Sequence, residues 1–221
     1  MLKTVRHLNL PVYVEDFTSE TQLILITKYF PSLCLNSYLQ HTPLSLHYIK
    51  SIVFQLLTVV QYLHSLSIMH RDIKPSNILI SRVDKEKSPN IFEFFDQKDI
   101  IKKKENSPKL SIKLIDFGVS KIYSPNEDNF SPYGEPNSRS PEMRYDGAYD
   151  EKVDIWGVGI VMMGLCLGKE IVTLDLMKLK EGKTPEILDI KGKDVLKNLL
   201  SLKASERISE KDALNHEWFK Q

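Results

Sequence analysis

The stretch His70-Arg71-Asp72-Ile73-Lys74-Pro75-Ser76-Asn77 decides how this chain folds. Before it, Ile49, Ile52, Val53, Leu56, Leu57, Val60 and Leu63 recur at helical spacing, and after it comes the short apolar run Ile78-Leu79-Ile80. The first pattern predicts an amphipathic helix over about 43–67, and the second a strand. The residues between are a tight polar loop, in which a carboxylate (Asp72), an ammonium (Lys74) and an amide (Asn77) can converge. Alone, such a loop is also readable as a chance match or a solvated polar turn.

Two further elements decide between these readings. Asp116-Phe117-Gly118 follows the apolar run Ile112-Lys113-Leu114-Ile115, and Ser140-Pro141-Glu142 comes later. In this order the three resemble the H-R-D-[LI]-x-x-x-N, D-F-G and A-P-E motifs of the eukaryotic protein-kinase family. The resemblance implies an α+β, protein kinase-like fold: a mainly α-helical large lobe with a remnant β small lobe. It implies that Asp72 orients a substrate hydroxyl and accepts its proton, and that Lys74 places a positive charge near the moving phosphate. It also implies ATP and Mg2+ as cofactors, with Asn77 and Asp116 as metal ligands.

Bulk properties exclude several classes. The chain has 221 residues and is 42% hydrophobic, enough for one sizeable core or two small ones. A net charge of +1 advertises neither nucleic acid nor an acidic membrane as a partner. Cys34 and Cys166 make no disulfide framework and suit a reducing compartment. The longest near-apolar run, Trp156 to Gly168, is too short to span a bilayer, and the first residues lack a signal-peptide pattern. A cytoplasmic or nuclear protein acting on a protein substrate is the default expectation.

Residues 11–17 and 22–28 read as strands separated by the polar turn Thr18-Ser19-Glu20-Thr21. They form a plain hairpin, or, by the resemblance, the last two strands of the small lobe. Thr27 then stands at the gatekeeper position and Lys28-Tyr29-Phe30 at the hinge. The Lys28 carbonyl and the Phe30 N–H would meet adenine, with Leu79 beneath it. Met1 to Leu8 matches the end of the small lobe's long helix, so residues 1–30 would be a remnant small lobe and 31–221 the large lobe. The glycine-rich loop, the ATP-binding lysine and its glutamate partner would lie before Met1, and the first glycine of the chain is indeed Gly118. A charged insert is expected at about 84–110, where Ser88-Pro89 and Ser107-Pro108 bracket the apolar knot Ile91-Phe92-Glu93-Phe94-Phe95. It reads as a mobile loop or a docking segment.

From Asp116 to Glu142 the resemblance implies an activation segment. Phe117 would pack on His70, and Ser131 would be a phosphorylation site whose phosphate pairs with Arg71 and Lys121. The chain departs from the family at Glu135 and Ser138, where threonine and tyrosine are usual. Five Ser-Pro pairs occur, at Ser88, Ser107, Ser124, Ser131 and Ser140. The four outside the A-P-E-like motif would suit an upstream proline-directed kinase. Val153-Asp154-Ile155-Trp156-Gly157-Val158-Gly159 resembles the D-x-W-x-x-G of the central large-lobe helix. Asp154 would accept N–H groups of the catalytic loop, and Arg207 would pair with Glu142. His64 and His216 read as structural. The expected function is a truncated serine/threonine kinase domain transferring the γ-phosphate of ATP to protein Ser/Thr hydroxyls. The alternative is a catalytically inactive pseudokinase or scaffold, supported by the missing lysine, glutamate and glycine loop.

Overall fold

The computed structural model describes residues 2–39, 44–82, 109–124, 139–144, 148–171 and 173–220. Strands β1 (Tyr13–Thr18) and β2 (Leu23–Thr27) form an antiparallel hairpin. Strand β3 (Leu33–Cys34) runs into the short helix α1 (Leu35–Leu39). Helix α2 (Leu46–Ser65) follows and buries Ile49, Ile52, Val53, Leu56, Leu57, Val60 and Leu63, the stripe expected from its spacing.

The polar loop emerges from β4 (Ile68–Met69) and ends in one 3-10 turn, Pro75–Asn77. Pro75 supplies the fixed φ that starts this turn. Strand β5 (Ile78–Arg82) then pairs with β3 on one side and with β6 (Leu110–Leu114) on the other. Strand β7 (Lys121–Ile122) pairs back with β4. The three-stranded sheet lies on α2: Ile78 and Ile80 of β5 and Ile112 and Leu114 of β6 are fully buried in the same core. Alternation along β5 leaves Leu79 partly exposed on the opposite face.

The remaining elements are helical: α3 (Pro141–Arg144), α4 (Lys152–Leu167), α5 (Thr173–Lys180), α6 (Ile190–Leu199) and α7 (Glu210–Leu214). Helix α4 is buried from Val153 to Leu165, because it is apolar on every side. It ends at Gly168, whose φ of 64° few other residues adopt without strain. Asp189 caps α6 by accepting from the Gly192 N–H (2.7 Å), and Ser209 caps α7 by accepting from the Asp212 N–H (3.0 Å).

This mixture of helices and small sheets is the expected α+β class. Two local expectations are corrected. Residues 2–4 form a turn, and the described residues before β1 contain no helix. Leu110 is not part of an insert: it opens β6 opposite Arg82, because its side chain completes the buried face with Ile112 and Leu114. Leu2, Val5 and Leu10 are buried in the core that α2 organises.

Candidate active site

His70 to Asn77 runs along the buried N-terminal part of α4, and Asp154 holds it there. Asp154 is buried, and its Oδ2 accepts the His70 N–H (2.7 Å) while Oδ1 accepts the Arg71 N–H (2.7 Å). Arg71 sits at φ 68°, a left-handed backbone that an arginine keeps only where its surroundings hold it. Its side chain is spent on structure: Nε donates to the Val119 carbonyl (2.6 Å) and Nη1 to the Tyr149 hydroxyl (3.0 Å). Burial keeps the His70 imidazole below its usual basicity. Its Nε2 lies 3.1 Å from the Ile115 carbonyl, and its ring meets Phe117 edge-on at 5.0 Å, as the resemblance implied.

Asp72 is the polar centre of the loop. Asn77 donates one Nδ2 to both the Asp72 carbonyl (2.9 Å) and Asp72 Oδ2 (2.7 Å), and Lys74 Nζ lies 3.2 Å from the same Oδ2. Asp72 Oδ1 is buried and has no hydrogen-bond partner among the described residues. With Nδ2 turned to Asp72, Asn77 presents its amide oxygen on the other side. The Asn77 carbonyl accepts the Ile115 N–H (2.9 Å), which ties the loop to the residue before Asp116. Asp116 has φ 68°, and its Oδ1 accepts the Gly118 N–H (3.0 Å). One carboxylate and one amide oxygen on tied segments form the hard-oxygen donor set that suits Mg2+ when phosphates supply further ligands.

Thr27, Lys28 and Phe30, expected from the resemblance to meet adenine, lie at or just after the end of β2. Thr27 stands opposite Tyr13, and the Lys28 N–H donates to the Val12 carbonyl (2.8 Å). Lys113, which the sequence marked only as a strand residue, connects this region to β5. It pairs with Leu79 across the sheet, its Nζ lies 5.1 Å over the Phe30 ring, and it donates to the Leu8 (2.9 Å) and Leu10 (2.8 Å) carbonyls. Burial, with Lys28 adding repulsion, lowers its pKa.

Glu142 and Arg207 meet in a bidentate pair of 2.7 and 3.0 Å. His216 accepts the Trp218 N–H (3.1 Å) and reaches Asp194 (3.0 Å), a capping role. Ser131, Glu135, Ser138, Ser88, Ser107 and the knot at 91–95 lie outside the described residues. Ser124 is exposed and Ser140 is buried. Among the described residues no helix is long and apolar enough to cross a membrane.

A family model described as "Protein kinase domain" matches residues 1–219. Calcium-dependent protein kinase 4 of Plasmodium falciparum is 32% identical over 180 residues, which cover 76% of this chain and 30% of that protein. DNA damage response protein kinase DUN1 of Saccharomyces cerevisiae is 30% identical over 184 residues, 77% of this chain and 34% of that one. Serine/threonine-protein kinase 36 of Pongo abelii is 26% identical over 224 residues, 98% of this chain and 15% of that one. The chain thus spans about a third or less of the length of these relatives.

Proposed function

The chain belongs to the protein kinase family, and from that premise we propose that it is a serine/threonine kinase domain moving the γ-phosphate of ATP to hydroxyls of a protein substrate. One observation carries the reading: the two oxygens of Asp72 are treated differently. Oδ2 is fixed by Asn77 and Lys74, while Oδ1 is buried with no partner among the described residues. A buried carboxylate oxygen without a donor is unfavourable unless something else supplies one. A substrate hydroxyl does so, and Oδ1 then accepts its proton as the oxygen attacks phosphorus.

The other residues position. Asn77 sets the rotamer of Asp72, and Lys74 places its ammonium where charge builds up on the transferred group. Asn77 and Asp116 would hold Mg2+, which when bound neutralises phosphate charge. Thr27, Lys28, Phe30 and Leu79 would hold the adenine end. Within this reading, residues 1–30 act as the small-lobe part and residues 31–221 as the large lobe. Lys74, two residues after Asp72, favours Ser/Thr over Tyr as acceptor.

The test is transfer of radiolabel from ATP to a generic basic protein by the 221-residue chain and by Asp72→Asn. A slow basal rate is expected of these 221 residues. That rate should fall by about two orders of magnitude or more in the variant, the upper part of what a positioned base contributes. Equal rates for the two proteins, or none above background for the native chain, would overturn the proposal.

A further inference from the structure

His64, near the C-terminal end of α2, takes no part in the chemistry above, yet it is buried between two carboxylates from two other helices. Its Nε2 lies 3.1 Å from Asp154 Oδ2 on α4, and its Nδ1 lies 3.6 Å from Glu210 Oε1 on α7. The second distance is that of an ion pair, longer than a hydrogen bond. Asp154 Oδ2 is also the oxygen that accepts the His70 N–H, and its Oδ1 holds the strained Arg71. A single buried side chain therefore stands between the first turn of α7 and the backbone of the loop that carries Asp72.

We propose that His64 is a positioning residue: its proton, held between Glu210 and Asp154, fixes the loop geometry and couples it to helix α7. A neutral imidazole has one N–H and can serve only one of these carboxylates. The imidazolium serves both, and it neutralises an Asp154 that must stay ionised to accept two backbone N–H groups.

The surroundings agree in sign. Burial opposes charge on His64, but Asp154 and Glu210 outweigh it and push the imidazole up to about 9. Burial alone would raise Asp154, yet His64 and the Arg71 N–H hold it below the ordinary carboxylate value. His64 likewise holds Glu210 down, with Lys152 of α4 adding to the effect. Beside these lies Tyr123, after β7, whose phenol is pushed up to about 12 by burial and by Glu151, Glu210, Asp154 and Asp150. His70, which faces Asp154 from the loop, is kept neutral by burial. The raised histidine is thus a stabilising proton, fully present below pH 6.5, its unperturbed value, and lost as pH rises toward 9.

The inference rests on the catalytic reading of the Asp72 loop, but its test does not need turnover. Histidine Cε1–H exchange followed by mass spectrometry gives the His64 midpoint in the whole 221-residue chain. Amide exchange of the peptide covering 68–74, corrected for its intrinsic pH dependence, reports the loop. In the native chain, loop protection should fall about tenfold or more as pH crosses the His64 midpoint, with α2 less affected. Glu210→Gln keeps the shape, removes the charge, and should move both midpoints down together by about one pH unit. His64→Gln should abolish the transition. A His64 midpoint that ignores Glu210→Gln would overturn the proposal, as would loop protection that does not follow the midpoint. If His64→Gln fails to fold, Glu210→Gln still decides, because the Glu210 side chain is partly exposed and tolerates the amide. Loss of Asp72-dependent transfer with the titration intact would sink only the catalytic reading.

Discussion

Arg207 spends every donor it has. Its side chain is fully buried, and its five N–H groups reach both oxygens of Glu142, the Lys152 carbonyl and, twice, the Ser201 carbonyl. The guanidinium also lies 5.2 Å over the Trp156 ring. A buried pair built this way adds little beyond a hydrophobic substitute, but breaking it strands a charge. Glu142→Ala and Arg207→Ala should therefore each destabilise by about 3–5 kcal/mol, read from the midpoint of urea unfolding. Midpoints unchanged in both variants would remove the pair from the account of stability. At this scale the sequence is legible where a side chain has a fixed place in a motif, as with Asp72, Asn77, Asp154 and Glu142. It is silent where the partner is backbone or distant. Lys113 bonds two carbonyls, which have no side-chain signature, and Glu210 reads as an ordinary first-turn acid until the fold brings His64 beside it.

Helix α4 shows what elements add. Its apolar run was readable as a buried helix, but the His70–Asn77 loop lying against it was not readable from periodicity. The contact is made at Gly157: a Cβ there would lie 2.8 Å from Ile73 Cβ and 2.9 Å from the Ile73 carbonyl oxygen. Helix propensity alone says that Gly157→Ala gains about 1 kcal/mol. Overpacking typically costs about 1–3 kcal/mol, and a backbone carbonyl in a held loop yields less easily than a flexible side chain. The second effect should win. Gly157→Ala is expected to lower the urea midpoint, and to slow transfer by displacing the residue after Asp72. A raised midpoint would show that the loop moves aside freely. Element edges were less legible than element types. The hydrophobic stripe of α2 set its type, but its ends at Leu46 and Ser65 follow from the backbone, extended at Ser45 with no side-chain cap.

Over the whole molecule, apolar surface is distributed unevenly. One large buried cluster joins α2, α4, α6 and the β5–β6 sheet, while the β1–β2 hairpin contributes little to it. Four consecutive residues of β2, Leu23 to Ile26, are 69% to 40% exposed, and Val14 and Phe17 of β1 are also exposed. A continuous apolar run of this kind suits a strand covered on both faces. Here β1 and β2 pair only with each other among the described residues, so neither outer edge has a described partner strand, while Lys3 covers Tyr13 and Asp16. Open edges beside apolar faces recruit further strands. The 221-residue chain should therefore self-associate as its concentration rises, as followed by sedimentation velocity. Ile24→Lys places a charge on the exposed face without touching the main core. Burying one isoleucine contributes about 1.5–3 kcal/mol, so the substitution should weaken association by about tenfold or more. It should leave the urea midpoint nearly unchanged, because the cooperative unit lies elsewhere. A native chain that stays monomeric at about 100 μM, well above the micromolar range of ordinary specific contacts, would show that the hairpin is tolerated in water as it stands. Equal association of both proteins would instead move the sticky surface away from β2.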